Sequence, residues 1–358
     1  MGLCQSFMDS EEYRQQQKLS RNIDKELDKR PKYLLQRILL LGPAHSGKST
    51  CLKQMHLMHA KVFTQSEIAE KKFVIYSNIA HGMQKMLDFL KTERISLKAE
   101  LLQDYQTFST FFDMQGRNVI SLDPIVVKSI KVLWRSDQIQ SAFSQRAKYN
   151  LTDSIEYFLE NIDRLAENDF QPNNLDILHT RMPTTGVQQA QFEVRGMTFE
   201  VYDVGGQKSE RKKWMHCFDN MNALLFVTAV NEFDYVTTED THLNKNHVEE
   251  ALTLFNEVSN NVFFKLATLI LFLNKIDLLE RKIQTVNLKD SFKDFKGENN
   301  SKDVIHFFRK KFERCLVSRR NRKLFIHETC AISNTVQIII NSVIDTILQE
   351  NLKETGML

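Results

Sequence analysis

Gly42-Pro43-Ala44-His45-Ser46-Gly47-Lys48-Ser49 follows the apolar run Ile38-Leu39-Leu40-Leu41 and precedes a helical stretch that starts near Lys48. It fits the pattern of a glycine, four residues and then Gly-Lys-Ser/Thr. In that setting backbone N–H groups wrap phosphate oxygens at a helix N-terminus. Lys48 would neutralise β- and γ-phosphates, the Ser49 hydroxyl would ligate Mg²⁺, and Thr50 counts with the loop. The bland alternative is a plain strand-to-helix turn. The apolar strand before it and the helix after it favour phosphate binding.

Three further stretches extend the site. Asn274-Lys275-Ile276-Asp277 follows the apolar strand Leu266 to Leu273. A carboxylate such as Asp277 can accept from both N1–H and the exocyclic amine of guanine, whereas adenine would leave it unpaired. Asp203-Val204-Gly205-Gly206-Gln207 also ends a strand. There a carboxylate can hold Mg²⁺ through water, a glycine N–H can meet the γ-phosphate, and Gln207 can orient an attacking water. Arg181-Met182-Pro183-Thr184-Thr185-Gly186 supplies a Thr184 hydroxyl to complete the Mg²⁺ shell. Its Arg181 can spread positive charge over a transferring phosphoryl group. Each stretch alone could be a cap or a turn.

Composition sets the outer bounds. At 358 residues, with 42% apolar and 26% charged, the chain can bury a core and suggests two domains or one with a large insertion. Forty-eight basic against 45 acidic residues give a net charge of +3, which speaks against a nucleic-acid binder. The basic clusters Arg309 to Arg314 and Arg319 to Lys323 read as solvated faces, a nucleic-acid site being a remote second. The five cysteines are scattered and never spaced Cys-x-x-Cys, so neither a disulfide framework nor a zinc site is expected, and a reducing cytosol fits. No apolar run is long enough to span a bilayer, and no secretory segment follows Met1.

Along the chain, Asp9 to Arg30 reads as a polar helix with a thin stripe of Leu19, Ile23 and Leu27. It is either a solvated arm or a partner-binding helix. From Lys61 to Thr180 helical spacing dominates, as in Ile75, Ile79, Met83, Met86 and Leu90, and in Ile155, Phe158, Leu159, Ile162 and Leu165. After Arg181 strands alternate with helices, the mark of a doubly wound sheet. Strands are expected at 192–194, 199–204, 223–230, 266–273 and 324–327, and helices at 249–259, 302–315 and 335–351.

The order of these motifs, with Thr329-Cys330-Ala331 after a late strand, resembles the α subunits of heterotrimeric G proteins. The resemblance covers nearly the whole chain, including Gln207-Lys208-Ser209-Glu210-Arg211-Lys212-Lys213-Trp214 and the ending Asn351-Leu352-Lys353. It implies an α/β fold: a P-loop GTPase (Ras-like) domain with a mostly parallel sheet, interrupted by an inserted all-helical domain, plus an N-terminal helix. The expected boundaries are 1–32 for the acylated helix, 33–60 with 181–358 for the GTPase domain, and 61–180 for the insertion. The insertion would lid the nucleotide and Arg181 would be a built-in arginine finger. By the same resemblance Asp153, Ser154, Leu178, His179, Thr180, Arg181, Met182, Pro183 and Thr184 lie near the nucleotide, and Thr329, Cys330 and Ala331 frame the guanine. Expected partners are a βγ dimer, a seven-helix receptor, a downstream effector and regulators of hydrolysis. The expected activity is GTP hydrolysis, with Gln207, Arg181 and Lys48 as the catalytic groups. Rival readings are a GTP-binding module with little or no turnover and a P-loop kinase; Asn274 to Asp277 and Arg181 argue against the kinase.

The phosphate loop departs from the Gly-Ala-Gly-Glu-Ser-Gly-Lys-Ser usual in the family it resembles. Ala44 adds a methyl where the loop passes closest to the γ-phosphate and Gln207. Pro43 removes a backbone donor. His45 replaces a carboxylate that pairs with the finger arginine, and a protonated His45 would repel Arg181. Near-normal binding with slowed hydrolysis is the resulting expectation, local compensation with an ordinary rate the alternative. At the N-terminus, Met1-Gly2-Leu3-Cys4-Gln5-Ser6 fits N-myristoylation at Gly2 with Cys4 available for palmitoylation. Two acyl chains would anchor the protein stably, and the resemblance implies that they do so at the cytoplasmic face of the plasma membrane. The end Glu354-Thr355-Gly356-Met357-Leu358 resembles a receptor-contacting tail. Thr355 stands where one subgroup has the cysteine modified by pertussis toxin, so that modification is not expected.

Overall fold

Leu35–Leu41 forms β1, and its alternate side chains enter two different cores because successive Cβ atoms of a strand point to opposite faces. The computed structural model describes residues 35–59, 65–115, 119–236, 245–317 and 322–354. The N-terminal helix expected at 9–30, Gly2, Cys4 and the last four residues lie outside them. Five further strands follow: β2 (Val187–Val194), β3 (Met197–Val204), β4 (Ala223–Ala229), β5 (Thr268–Asn274) and β6 (Leu324–Thr329). The sheet runs β2-β3-β1-β4-β5-β6. Only the β2–β3 pair is antiparallel.

The central strands are buried on both sides, as parallel strands must be when helices cover each face. On one face Leu39, Leu41, Leu224, Phe226, Leu271 and Leu273 pack against Phe255, Phe308 and Phe312. On the other, Ile38, Leu40, Leu225, Val227, Ile270 and Phe272 meet Cys51, Leu52 and Met55, together with Val336, Ile340, Val343 and Ile347. The helices carrying these residues are α1 (Lys48–His59), α7 (His247–Ser259), α9 (Ser301–Arg314) and α10 (Thr335–Glu354). Between α1 and β2 come α2 (Gln65–Thr92), α3 (Leu102–Gln115), α4 (Pro124–Arg135), α5 (Asp137–Ser144) and α6 (Ser154–Glu160). They build a separate core around Ile79, Met83, Phe108, Ile130, Ile155 and Phe158, and no strand occurs among their described residues. A helical unit thus interrupts a doubly wound sheet. The remaining helix used below is α8 (Ile276–Lys282).

Most expected strands and helices shift by one to three residues at an end, and two elements differ more. β2 starts at Val187 rather than Phe192, because this edge strand buries only Ala190 and Phe192 and its glutamines face outward. The continuous pattern from Ile155 to Leu165 is broken at Asn161 into α6 and a four-residue turn of helix, Ile162–Leu165.

Candidate nucleotide site

The loop after β1 and the strand ends of β3, β4, β5 and β6 open at one edge of the sheet, where ligands of open α/β sheets bind. The resulting cleft has a volume of about 620 Å³ and runs between the sheet and the helical unit. Ala44 to Thr50 form its floor. The N-terminus of α1 therefore faces the cleft with the positive end of its dipole. Gly47 has φ +102°, and an added Cβ there would run into the Asn274 amide. His45 holds a left-handed conformation at φ 66°, uncommon outside glycine. Lys48 is 5% exposed, and its Nζ donates to the carbonyls of Gly42 (2.9 Å) and Pro43 (2.8 Å). Burial pushes its ammonium down to about 8, against the pull of Asp203.

Beside Lys48, three oxygens converge. Ser49 Oγ lies 2.6 Å from Asp203 Oδ2 and 2.8 Å from Thr184 Oγ1, and Thr184 Oγ1 lies 3.5 Å from the same carboxylate oxygen. Asp203 Oδ1 is buried with no hydrogen-bond partner, and burial raises this carboxyl above its ordinary range despite Lys48 nearby. Two hydroxyls and one carboxylate are all-oxygen donors of the kind that Mg²⁺ takes alongside phosphate and water. Among the described residues no cluster of three His, Cys, Asp or Glu offers a rival metal centre.

At the other end Asn274 acts as a tie. Its Nδ2 donates to Ser46 O (2.8 Å), and its Oδ1 accepts from Thr329 Oγ1 (3.1 Å) and Ala331 N (3.0 Å). Asn274 thus locks the phosphate loop to the β6–α10 loop. Asp277 lines the cleft next to Cys330, whose thiol is pushed up to about 12 by burial and then by Asp277. Lys275 caps α8 in a left-handed conformation and pairs with Asp153 (3.1 Å) and Glu232 (2.6 Å).

Arg181 is held from the helical unit: its N–H donates to Asn78 Oδ1 (2.7 Å), and Asn78 Nδ2 donates back to its carbonyl (2.8 Å). The guanidinium meets His45 Nε2. Burial, with the positive charge of Arg181 second, pushes the His45 imidazole down to about 3. His45 is therefore a neutral acceptor at neutral pH. The repulsion expected of a protonated His45 does not arise, because burial, with the charge of Arg181 second, keeps the proton off.

Most of the sequence-predicted residues meet in this cleft. Asp153, Ser154, Leu178 to Thr184, Gly206, Gln207, Lys275, Cys330 and Ala331 line it together with the loop. Gly42, Pro43, Asp203, Val204, Gly205, Ile276 and Thr329 stand behind the lining. Of these, Asp203 and Thr329 reach it through Ser49 and Asn274. Gly206 lies against the loop, and a Cβ on it would come within 2.7 Å of Ala44 N and Pro43 C. Sequence reasoning missed Lys53, Tyr157 and Glu232 in the lining. Glu232 carries a usable signal, since it lies just past the C-terminal end of β4, a central parallel strand.

A mostly parallel sheet with a Gly-Lys-Ser loop after its first strand, interrupted by a helical unit, is the architecture of a P-loop GTPase with an added helical domain. The family model for the G-protein alpha subunit matches residues 15–347. The chain is 40% identical over 367 residues to guanine nucleotide-binding protein alpha-10 subunit of Caenorhabditis briggsae, covering all of both chains. It is 38% identical over 361 residues to the alpha-17 subunit of Caenorhabditis elegans, again end to end. With the alpha-15 subunit of Caenorhabditis elegans it shares 35% over 350 residues, 97% of this chain and 98% of that one. The chain belongs to the G-protein alpha subunit family.

Proposed function

We propose that this chain binds GTP and GDP with Mg²⁺ in the cleft, hydrolyses GTP and serves as a membrane-anchored signalling switch. The observation that carries the reading is the Ser49, Thr184 and Asp203 oxygen cluster beside Lys48 and the phosphate loop. Mg²⁺ bound there would offset charge on the β- and γ-phosphates. Lys48 turns from the loop carbonyls to the phosphates, and Arg181 leaves His45 to stabilise charge on the transferring group. Gln207, exposed at the cleft edge, orients water for in-line attack on the γ-phosphate, giving GDP and phosphate. Asn274 and Asp277, with Thr329 to Ala331, hold the guanine. Loss of the γ-phosphate releases Thr184 and Gly206, and their loops relax. The separate core of the helical unit supports 61–180 as the inserted domain, with 33–60 and 181–358 as the GTPase domain.

A βγ dimer, a seven-helix receptor, an effector and regulators of hydrolysis are the proposed partners. Acylation of Gly2 and Cys4 is the proposed anchor at the cytoplasmic face of the plasma membrane. No helix among the described residues is long and apolar enough to cross a membrane. A Gly2→Ala protein that stayed fully membrane-bound would count against the anchor.

Hydrolysis is slowed, in this reading, by the Ala44 methyl at the point where the loop meets Gly206. Single-turnover GTP hydrolysis on purified protein tests both parts. Release of phosphate at a measurable rate supports the enzyme, and Ala44→Gly should raise that rate by about tenfold, the equivalent of 1.4 kcal/mol in the barrier. An unchanged rate in Ala44→Gly removes the slowing by Ala44. GTP binding without phosphate release leaves the second reading, a signalling module with little or no turnover.

A further inference from the structure

Lys275 sits between two carboxylates that belong to different parts of the fold. Asp153, at the start of α6 in the helical unit, lies 3.1 Å from Lys275 Nζ, and Glu232, just past β4, lies 2.6 Å from it. Each acid has a second partner. Asp153 meets Arg146 Nε at 3.3 Å, and Glu232 meets His247 Nδ1 at 2.7 Å. The row Arg146, Asp153, Lys275, Glu232, His247 therefore runs from the helical unit across the mouth of the guanine end to the first residue of α7. It is well shielded: the Glu232 side chain is 3% exposed, Asp153 13%, His247 14% and Lys275 20%. Burial would raise the Glu232 carboxyl, but Lys275 and the hydrogen bond from His247 hold it well below the usual carboxylate range. Lys275 is raised in turn: its two acids outweigh its burial.

Burying such a row is poorly explained by stability, because desolvation offsets most of the attraction between the charges. Its geometry suits positioning. One Glu232 oxygen takes Lys275 and the other takes His247, so the carboxylate has a single orientation and Lys275 a fixed end point. Lys275 is also the residue whose backbone turns the chain from Asn274, the tie to the phosphate loop, into α8 and Asp277.

We propose that Glu232, steadied by His247, is a positioning residue for Lys275, and that this pair sets how long guanine nucleotide stays bound beneath the helical unit. The inference rests on the guanine-nucleotide reading above. With Glu232 in place, Lys275 is held where Asp153 of the helical unit can reach it. Without Glu232, Lys275 is pulled toward Asp153 alone and the helical unit loses its most buried charged anchor on the sheet side, leaving the longer contacts Asn231 to Asp153 (3.5 Å) and Arg281 to Glu156 (3.6 Å).

The test is the dissociation rate of a fluorescent GDP analogue, chased with excess GDP, from full-length protein with Mg²⁺. Glu232→Gln and His247→Leu should each release it about tenfold faster, with association rates within twofold of the unaltered protein, since lost contacts act mainly on dissociation. His247→Gln, which keeps a donor near Glu232, should restore most of the retention. Glu232→Gln combined with Asp153→Asn should fall short of the product of the single effects, because both act through Lys275. Arg281→Gln is the control. Its pair with Glu156 also bridges α8 and the helical unit, but at 3.6 Å and with 62% and 43% exposure it should change release by less than about twofold. Release rates within twofold for both Glu232→Gln and His247→Leu overturn the inference, as does His247→Gln releasing as fast as His247→Leu. Should Glu232→Gln fail to fold, the two His247 variants decide alone. Unaltered protein that takes up no guanine nucleotide overturns the underlying reading instead, and is seen before any variant is compared.

Discussion

His45 shows how one side chain's chemistry depends on its neighbours. Its imidazole stays neutral because burial and Arg181 depress its proton affinity to about 3. The unfolded chain, with an ordinary histidine near 6.5, binds a proton that the folded chain refuses as pH falls from about 6.5 toward 3. Folding stability contributed here is therefore lost on acidification. His45→Gln keeps an acceptor for Arg181 without that titration. Its melting temperature relative to the unaltered protein should rise between pH 7 and pH 5, and a flat difference would contradict the neutral-acceptor assignment. Asn274 is a second residue-scale case. Asn274→Ala leaves Ser46 O, Thr329 Oγ1 and Ala331 N without this partner in a buried place. The loss should amount to about 2–3 kcal/mol in urea unfolding, given roughly 1 kcal/mol per bond and the added desolvation. The residue types of the loop and of Asn274 to Asp277 were legible in the chain. What His45 touches was not, since Arg181 lies far away in sequence and arrives on a loop tied to Asn78.

At the scale of elements, β4 and β5 were readable because a fully buried parallel strand is a continuous apolar run bounded by polar residues. β2 was half hidden, since an edge strand needs few apolar residues and its three glutamines mimic a loop. Helix packing in the inserted unit depended on a small residue that periodicity does not single out. Gly82 of α2 faces Ile155 of α6, and a Cβ on Gly82 would overlap the Ile155 side chain. Helix propensity alone would predict that Gly82→Ala stabilises α2 by up to about 1 kcal/mol. The packing predicts the opposite, a loss of about 1–3 kcal/mol from overfilling. Chemical denaturation decides the sign, and Gly82→Ala with Ile155→Val should recover part of the loss.

For the whole molecule, the cleft lies between the sheet, which has a core on each face, and the helical unit with its own core, so anything bound there is linked to both parts. A ligand that binds the folded state alone stabilises it by about 2.7 kcal/mol at one hundred times its dissociation constant. GDP with Mg²⁺ should raise the melting temperature, ATP should not, and EDTA should remove the part of the gain that depends on the Ser49, Thr184 and Asp203 cluster. Equal stabilisation by ATP and GDP would refute guanine selectivity.

What the chain determined by itself was local: a phosphate loop between a strand and a helix, a helical stretch in the middle, strands alternating with helices after it, and the order of the motifs. These follow from side-chain size, periodicity and glycine placement over a few residues at a time. Tertiary structure alone decided which of those residues meet. It brought Thr184 and Asp203 to Ser49, set His45 against Arg181, and joined Asp153, Lys275, Glu232 and His247 in one buried row. The physical reason is that a charge's state depends on its burial and its partners. Both are properties of distances across the fold, which periodicity along the chain does not encode.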